Sequence, residues 1–191
     1  MTMEDIYNDL KRRISPKRFT HIMGVTKTAE ILAKRYGADP DKAYLAGLLH
    51  DCAKELPLSQ MQAMVDEANV LVDRAVYENG ALLHGLAGAV MARDYYGIDD
   101  EEVLEAIRVH TTGKVGMSAL DKVVFLADYI EPSRKFPGVD ALRKLAFIDL
   151  DEAVLAGYDS TIAHLLEQKL SIYFKTILGR NDCLAQMKRS R

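Results

Sequence analysis

Two cysteines in 191 residues, Cys52 and Cys183, form no Cys-x-x-Cys pair. That scarcity excludes a disulfide framework and a thiolate zinc finger. No uncharged apolar run reaches the length of a membrane span, and the N-terminus carries no signal-peptide pattern. The expectation is a cytoplasmic protein without a membrane partner. No long basic block offsets a net charge of −3, which argues against general nucleic-acid binding. The one local excess, Lys188, Arg189 and Arg191, reads as a frayed, solvated tail. No segment alternates with period two for long enough to suggest a sheet. There is also no internal repeat, low-complexity tract or dividing linker.

What is present reads as helix from end to end. Hydrophobic residues at 49% and charged residues at 28% suit a globular protein with a real core. Ser15-Pro16 is an N-cap with proline at the first helical position, and Gly37 stops that helix. Asp39-Pro40 repeats the start signal for a helix expected to run through His50 toward Leu56-Pro57. Further helices are expected over 59–69, 82–96, from Asp99 or Asp100 to His110, from Ser118 through Ile130, and over 139–147 and 151–178. Ser118 with Asp121 resembles a capping box, and Pro132 ends the helix that follows. The pattern predicts an all-α, single-domain helical bundle over residues 1–191, with a core at about 15–135 and C-terminal helices at about 139–178.

Four of the five histidines, His21, His50, His84 and His110, fall on four different expected helices. No helix offers two imidazoles, so a metal site would have to be assembled at the centre of the bundle. The pair His50-Asp51 is weak evidence alone, because chance supplies roughly 0.4 such dipeptides in a chain of this composition. Its surroundings add to it. Gly24, Gly47 and Gly88 lie three or four residues from His21, His50 and His84, on the same helical faces. Glycine inside a helix is costly, so these positions suggest room made for close packing or for a ligand. Asp128 lies beside the apolar stripe of Leu120, Val123, Val124, Ala127 and Ile130, where a carboxylate needs a metal, a network or an arginine. Taken singly, each histidine is more often a core or surface residue. Together, four imidazoles and two carboxylates suffice for two adjacent divalent ions, with iron, manganese or zinc better suited than magnesium.

The order His … His-Asp … His … His … Asp resembles the HD superfamily of metal-dependent phosphohydrolases. More narrowly, RFTHIMGV, AGLLHDCAKEL, LLHGLAGA, IRVHTTG and LDKVVFLADYIEPSR are similar to the YqeK-type symmetrical bis(5′-nucleosyl)-tetraphosphatases. The resemblance covers about residues 15 to 180 and implies residue roles. His21, His50, Asp51 and Asp128 would hold one metal, and Asp51 would bridge to a second completed by His84 and His110. It further implies hydrolysis of diadenosine tetraphosphate at mid-chain to two ADP, with iron as the associated metal.

Cationic side chains should supplement such a site. Arg18 lies three residues before His21, and its alternative is a solvated surface arginine. Lys54 is a candidate for catalysis and phosphate binding alongside Asp51, with helix-end charge complementation as the rival. Of Arg134 and Lys135, Arg134 is favoured for its bidentate donors. Thr111, Thr112 and Gly113 are expected to line the substrate pocket with hydroxyls and backbone N–H groups, unless they form a plain helix-end turn, and His84 is counted among substrate contacts as well. His164 reads as structural, Met61, Met64, Met91 and Met187 as core filler, and Cys52 as a small buried residue. Tyr95, Tyr96 and Tyr129 read as core more readily than as base-stacking rings. The competing functions are another HD nucleotide or phosphate-ester hydrolase, a non-catalytic nucleotide-binding metal protein, and a diiron oxygenase. A homodimer is the default expectation for an enzyme of this kind.

Overall fold

Eleven helices and no strand make up the described residues, 1–189, of the computed structural model. They are α1 Met3–Arg13, α2 Pro16–Tyr36, α3 Pro40–Leu49, α4 Leu58–Glu67, α5 Arg74–Tyr77, α6 Gly80–Asp94, α7 Glu101–Val109, α8 Ala119–Ile130, α9 Val139–Ala146, α10 Leu150–Glu167 and α11 Phe174–Arg189. The start signals act as the sequence predicts. The Ser15 and Asp39 side chains accept from the first turns of α2 and α3, each with proline just inside. Ser118 and Asp121 form a reciprocal capping box on α8. The cap of α7 is Asp100, not Asp99. Gly37 ends α2 in the left-handed region, at φ 74°.

Helix α8 is the axis of the bundle. The expected stripe is buried, but so are Phe125 and Leu126 on its other sides. Burial thus extends well beyond the stripe the sequence predicts, and α8 is a central helix whose polar positions Lys122 and Asp128 stay half-buried. Helices α2, α3, α7 and α10 pack around it, and α6 lies against α7. The main apolar core gathers residues from α1, α2, α3, α6, α7, α8 and α10. A smaller cluster around Met61, Val65, Leu83 and Val90 joins α4 to α6 and takes in Tyr173. Among the described residues, no helix is long and apolar enough to cross a membrane.

Three segments depart from expectation. Helix α3 ends at Leu49 instead of continuing toward Leu56, because residues 49–56 tighten into successive i to i+3 bonds, Cys52 to Leu49, Lys54 to Asp51 and Leu56 to Ala53. The single helix expected over 151–178 is two helices. Lys169 adopts φ 54°, and the Leu170 N–H closes back on the Leu165 carbonyl. The reversal seats Tyr173 in the smaller cluster, with its hydroxyl on Asp73. Finally, the basic tail is not frayed at Lys188 and Arg189, which are exposed but helical in α11; Arg191 lies outside the described residues.

Candidate metal centre

Three helix C-termini converge at the centre of the bundle. His50 and His110 are the C-cap residues of α3 and α7, and Asp128 stands in the last turn of α8. The partial negative charge at these ends favours a cation between them. His50 Nδ1 donates to the Gly47 carbonyl and His110 Nδ1 to the Ile107 carbonyl, each at 2.7 Å. Both are last-turn carbonyls left without an intrahelical partner, so each imidazole closes its own helix while it faces inward. His84, in the first half of α6, points Nδ1 at the Gly80 carbonyl at 3.3 Å. His21, on α2, donates Nδ1–H to the Glu131 carboxylate at 3.0 Å.

In each ring Nδ1 faces an oxygen that only accepts, so a neutral ring presents its Nε2 lone pair to the centre and a protonated ring an Nε2–H. His21 and His50 approach Nε2 to Nε2 at 3.3 Å, and His84 and His110 at 3.0 Å. Lone pairs facing at that range, in buried rings, require a shared cation or an added proton. Asp51 stands between the two pairs. Its Oδ2 is 3.6 Å from His21 and 3.5 Å from His50, while its Oδ1 is 3.3 Å from His84 and 3.6 Å from His110. Asp128 Oδ1 lies 3.1 Å from His21 Nε2 and 4.0 Å from His50 Nε2. Three compact donor groups result: His21, His50 and Asp51; Asp51, His84 and His110; and His50, His110 and Asp128, which links the two pairs. A buried set of imidazole nitrogens and carboxylate oxygens suits a divalent transition metal.

The electrostatics point the same way. Burial alone would raise the Asp51 carboxyl, but the charge at His50 and hydrogen bonds from His110, His50 and His84 hold it well below the usual range. Burial is likewise outweighed at Asp128, by the His21 hydrogen bond and then by the charges of His50 and Arg134. Burial pushes His84 down to about 4, helped by His110 and Lys54 and opposed by Asp51. The centre therefore favours ionised carboxylates and a neutral His84, the protonation state of metal ligands.

Around the centre lies a cationic shell. Arg18 Nη1 reaches Asp51 Oδ2 at 2.7 Å, and its Nε is buried with no partner among the described residues. Arg134 pairs with Asp128 through both its carboxylate and its backbone carbonyl, so the arginine alternative for Asp128 is present together with the histidine contacts. Lys54 does not cap α3. Its Nζ sits 3.3 Å from both ring nitrogens of His84, and burial lowers its pKa. Thr111 Oγ1 is 3.2 Å from His84 Nε2 and 3.0 Å from His110 Nε2. Thr112 turns its hydroxyl to the Gly113 carbonyl. Gly113 corrects the expectation of a pocket donor. Its N–H goes to the Val109 carbonyl, and at φ 60° it lies where an added Cβ would overlap the Tyr158 hydroxyl.

Two residues absent from the sequence reading matter here. Glu131, buried at the end of α8, accepts from His21 and from the Ser133 hydroxyl and N–H. Arg143, on α9, anchors the loop after α8 by donating to the carbonyls of Ile130, Glu131 and Arg134. Glu131 had one legible signal: it follows Asp128 by three and so shares its helical face. The remaining candidates stay outside. His164 is exposed on α10, Met61 and Met91 are core residues, and Met64 and Met187 pack against the core. Cys52 and Tyr96 are buried, Tyr129 is half-buried, and exposed Tyr95 lies under the Arg13 guanidinium.

Residues 18–133 match the family described as HD domain. A Halalkalibacterium halodurans protein named symmetrical bis(5′-nucleosyl)-tetraphosphatase is 43% identical over 179 residues, covering 94% of this chain and 95% of its own length. A Bacillus subtilis protein of the same name is 38% identical over 184 residues, with 95% of this chain and 97% of its own length covered. A crystal structure from Clostridium acetobutylicum, described as a predicted HD superfamily hydrolase involved in NAD metabolism, superposes with a TM-score of 0.94 at 41% identity over 97% of this chain and 98% of that one. The span of the match takes in all six converging ligand-type residues, and this chain belongs to the HD domain family, alongside relatives named symmetrical bis(5′-nucleosyl)-tetraphosphatase.

Proposed function

We propose that this chain hydrolyses diadenosine tetraphosphate at the middle of its phosphate chain, releasing two ADP, with two divalent metal ions, iron foremost. The observation that carries the reading is Asp51, one carboxylate whose two oxygens face two separate histidine pairs. His21, His50, Asp51 and Asp128 would hold one ion, and Asp51, His84 and His110 would hold the other. Divalent ions so held supply Lewis acidity toward phosphoryl oxygens and lower the pKa of water. The names of the full-length relatives support the choice of substrate.

The chain's own residues do the rest. Asp51 ties the two histidine pairs to one fixed geometry, and Asp128 adds its carboxylate on the His21 side. Arg18 and Arg134, already turned toward the centre by Asp51 and Asp128, present guanidinium donors to the anionic phosphate chain. The unpartnered Nε of Arg18 leaves a donor to spare. Lys54 and the Thr111 hydroxyl lie on the His84 side, where they stabilise the charge that builds on the departing diphosphate. One water is consumed. The bond between the second phosphorus and the oxygen bridging to the third breaks. The water oxygen stays on one ADP, and the bridging oxygen leaves with the other.

The test is turnover by protein loaded with iron or manganese, with the nucleotide products resolved. ADP is expected as the sole product, and His50→Ala or Asp51→Ala is expected to abolish turnover nearly completely. Equal amounts of AMP and ATP would overturn the symmetrical reaction.

A further inference from the structure

Beside His21 a cleft of about 710 Å³ opens between the start of α2 and the loop that follows α8. Its volume lies within the range of small-molecule sites. Four cationic residues, Lys17, Arg18, Arg134 and Lys135, line it together with Phe136. Arg18 and Arg134 are held by Asp51 and Asp128. Lys17 and Lys135 are exposed and make no ion pair among the described residues. Two further carboxylates line the cleft and both are occupied, Glu55 by the N–H and hydroxyl of Ser15 at 2.7 and 2.6 Å, and Glu131 by His21 and Ser133. The cleft thus begins at the cluster, carries cations left without a partner, and ends beside a half-buried aromatic ring.

A symmetrical cut sets a geometric demand. The central phosphates must lie at the cluster, so the two nucleoside diphosphate halves leave it in different directions. Lys54 and Thr111 stand on the His84 side. The His21 side offers this cleft. We propose that the cleft holds one nucleoside diphosphate half of the substrate, with Lys17 and Lys135 on its outer phosphate and Phe136 against its base. The proposal rests on the reading of the reaction given above. It assigns binding roles to three residues that the cluster itself does not need. A phosphate between two lysines follows from charge, and a flat base against Phe136 follows from the sequence tolerance and strength of aromatic stacking.

The experiment uses the metal-loaded full chain and two probes, diadenosine tetraphosphate as substrate and inorganic tetraphosphate as an inhibitor with no base. Phe136→Leu keeps an apolar side chain in place and removes the ring face. It is expected to lower kcat/KM for diadenosine tetraphosphate about tenfold, with a much smaller change in the inhibition constant of inorganic tetraphosphate. The double variant Lys17→Ala/Lys135→Ala is expected to weaken both probes, by about tenfold or more. Native values for both variants on both probes would overturn the cleft assignment, as would equal losses on the two probes for Phe136→Leu. Should the native chain release no ADP, the reaction reading fails instead. The cleft is then judged by equilibrium binding of the same two probes to native and variant protein, with the same differences required.

Discussion

The Nδ1–H of His21 donates to the carboxylate of Glu131 across 3.0 Å, at the junction of α2 with the end of α8. A carboxylate only accepts, so this contact commits the imidazole to one tautomer and turns its Nε2 toward Asp51 and Asp128. Glu131→Ala removes the partner and frees the ring to rotate. Metal affinity is expected to fall about 10–100-fold, read by competition with a chromogenic chelator. Glu131→Gln retains an acceptor oxygen without the charge and should recover part of the loss. Equal affinity in native and Glu131→Ala protein would remove Glu131 from the site.

Gly24 gives that carboxylate its space. A Cβ there would stand 2.5 Å from Glu131 Oε2, the far end of a flexible side chain, whereas at Gly47 it would stand 2.9 Å from the backbone Cα of Thr26. The two glycines therefore protect different things. Gly24→Ala displaces Glu131 and is expected to weaken metal binding, while gaining up to about 1 kcal/mol in helix propensity. Gly47→Ala forces α2 and α3 apart and should cost about 1–3 kcal/mol in urea unfolding. Gly88→Ala meets no atom nearer than 3.4 Å and is expected to stay within about 1 kcal/mol of native stability. The contrast among the three, measured in parallel, separates space for a ligand's partner from plain helix contact. Loss of stability at Gly88 equal to that at Gly47 would contradict it.

The glycine pattern also marks how far the sequence could be read. Capping at Ser15, Asp39 and Ser118 is local chemistry, and the helices they start were legible at once. The early end of α3 was not, since nothing between Leu49 and Pro57 breaks a helix by propensity. Adjacent residues on an α-helix point about 100° apart. Only the tighter turn from residue 49 onward lets both His50 and Asp51 face the cluster, and that is a tertiary demand. The break between α10 and α11 is similar. Lys169 sits in a left-handed conformation that lysine adopts at a cost of about 1–2 kcal/mol, offset by the packing of Tyr173. Helix α1 carries an equally local signal, since Thr2 and Asp5 form a full capping box. Four-residue α5 is too short to leave a periodic signal.

Metal removal should be visible in the fold as well as in turnover. Without a cation, the paired Nε2 atoms of His21 with His50, and of His84 with His110, face each other across 3.3 and 3.0 Å. A ligand that binds only the folded state at 100 times its Kd contributes about 2.7 kcal/mol of stability per site. In a protein of this size that corresponds to a Tm shift of roughly 5–10 °C. Scanning calorimetry of chelated and reloaded protein checks it. Asp51→Asn should lose most of the metal-dependent shift, because it weakens two of the three donor groups at once. A Tm indifferent to chelation in the native chain would count against tight metal binding at this cluster.

Acid should destabilise the metal-free protein in two stages. Burial moves His84 from its ordinary 6.5 down to about 4 in the fold, so between those values the unfolded chain binds more protons than the folded one. Stability then rises with pH, and the share that depends on neutral His84 is complete above about pH 6.5 and is lost as pH falls toward about 4. The carboxyls of Asp51 and Asp128, both lowered from 3.8, add a second loss only below that value. Urea midpoints of chelated protein, taken from about pH 7 down to about pH 4.5, should therefore decline before Asp51 or Asp128 is protonated. His84→Gln removes the titrating ring and should flatten this upper window while leaving the steeper acid limb. A native midpoint that holds level down to about pH 4.5 would show that burial does not keep His84 neutral in the metal-free fold.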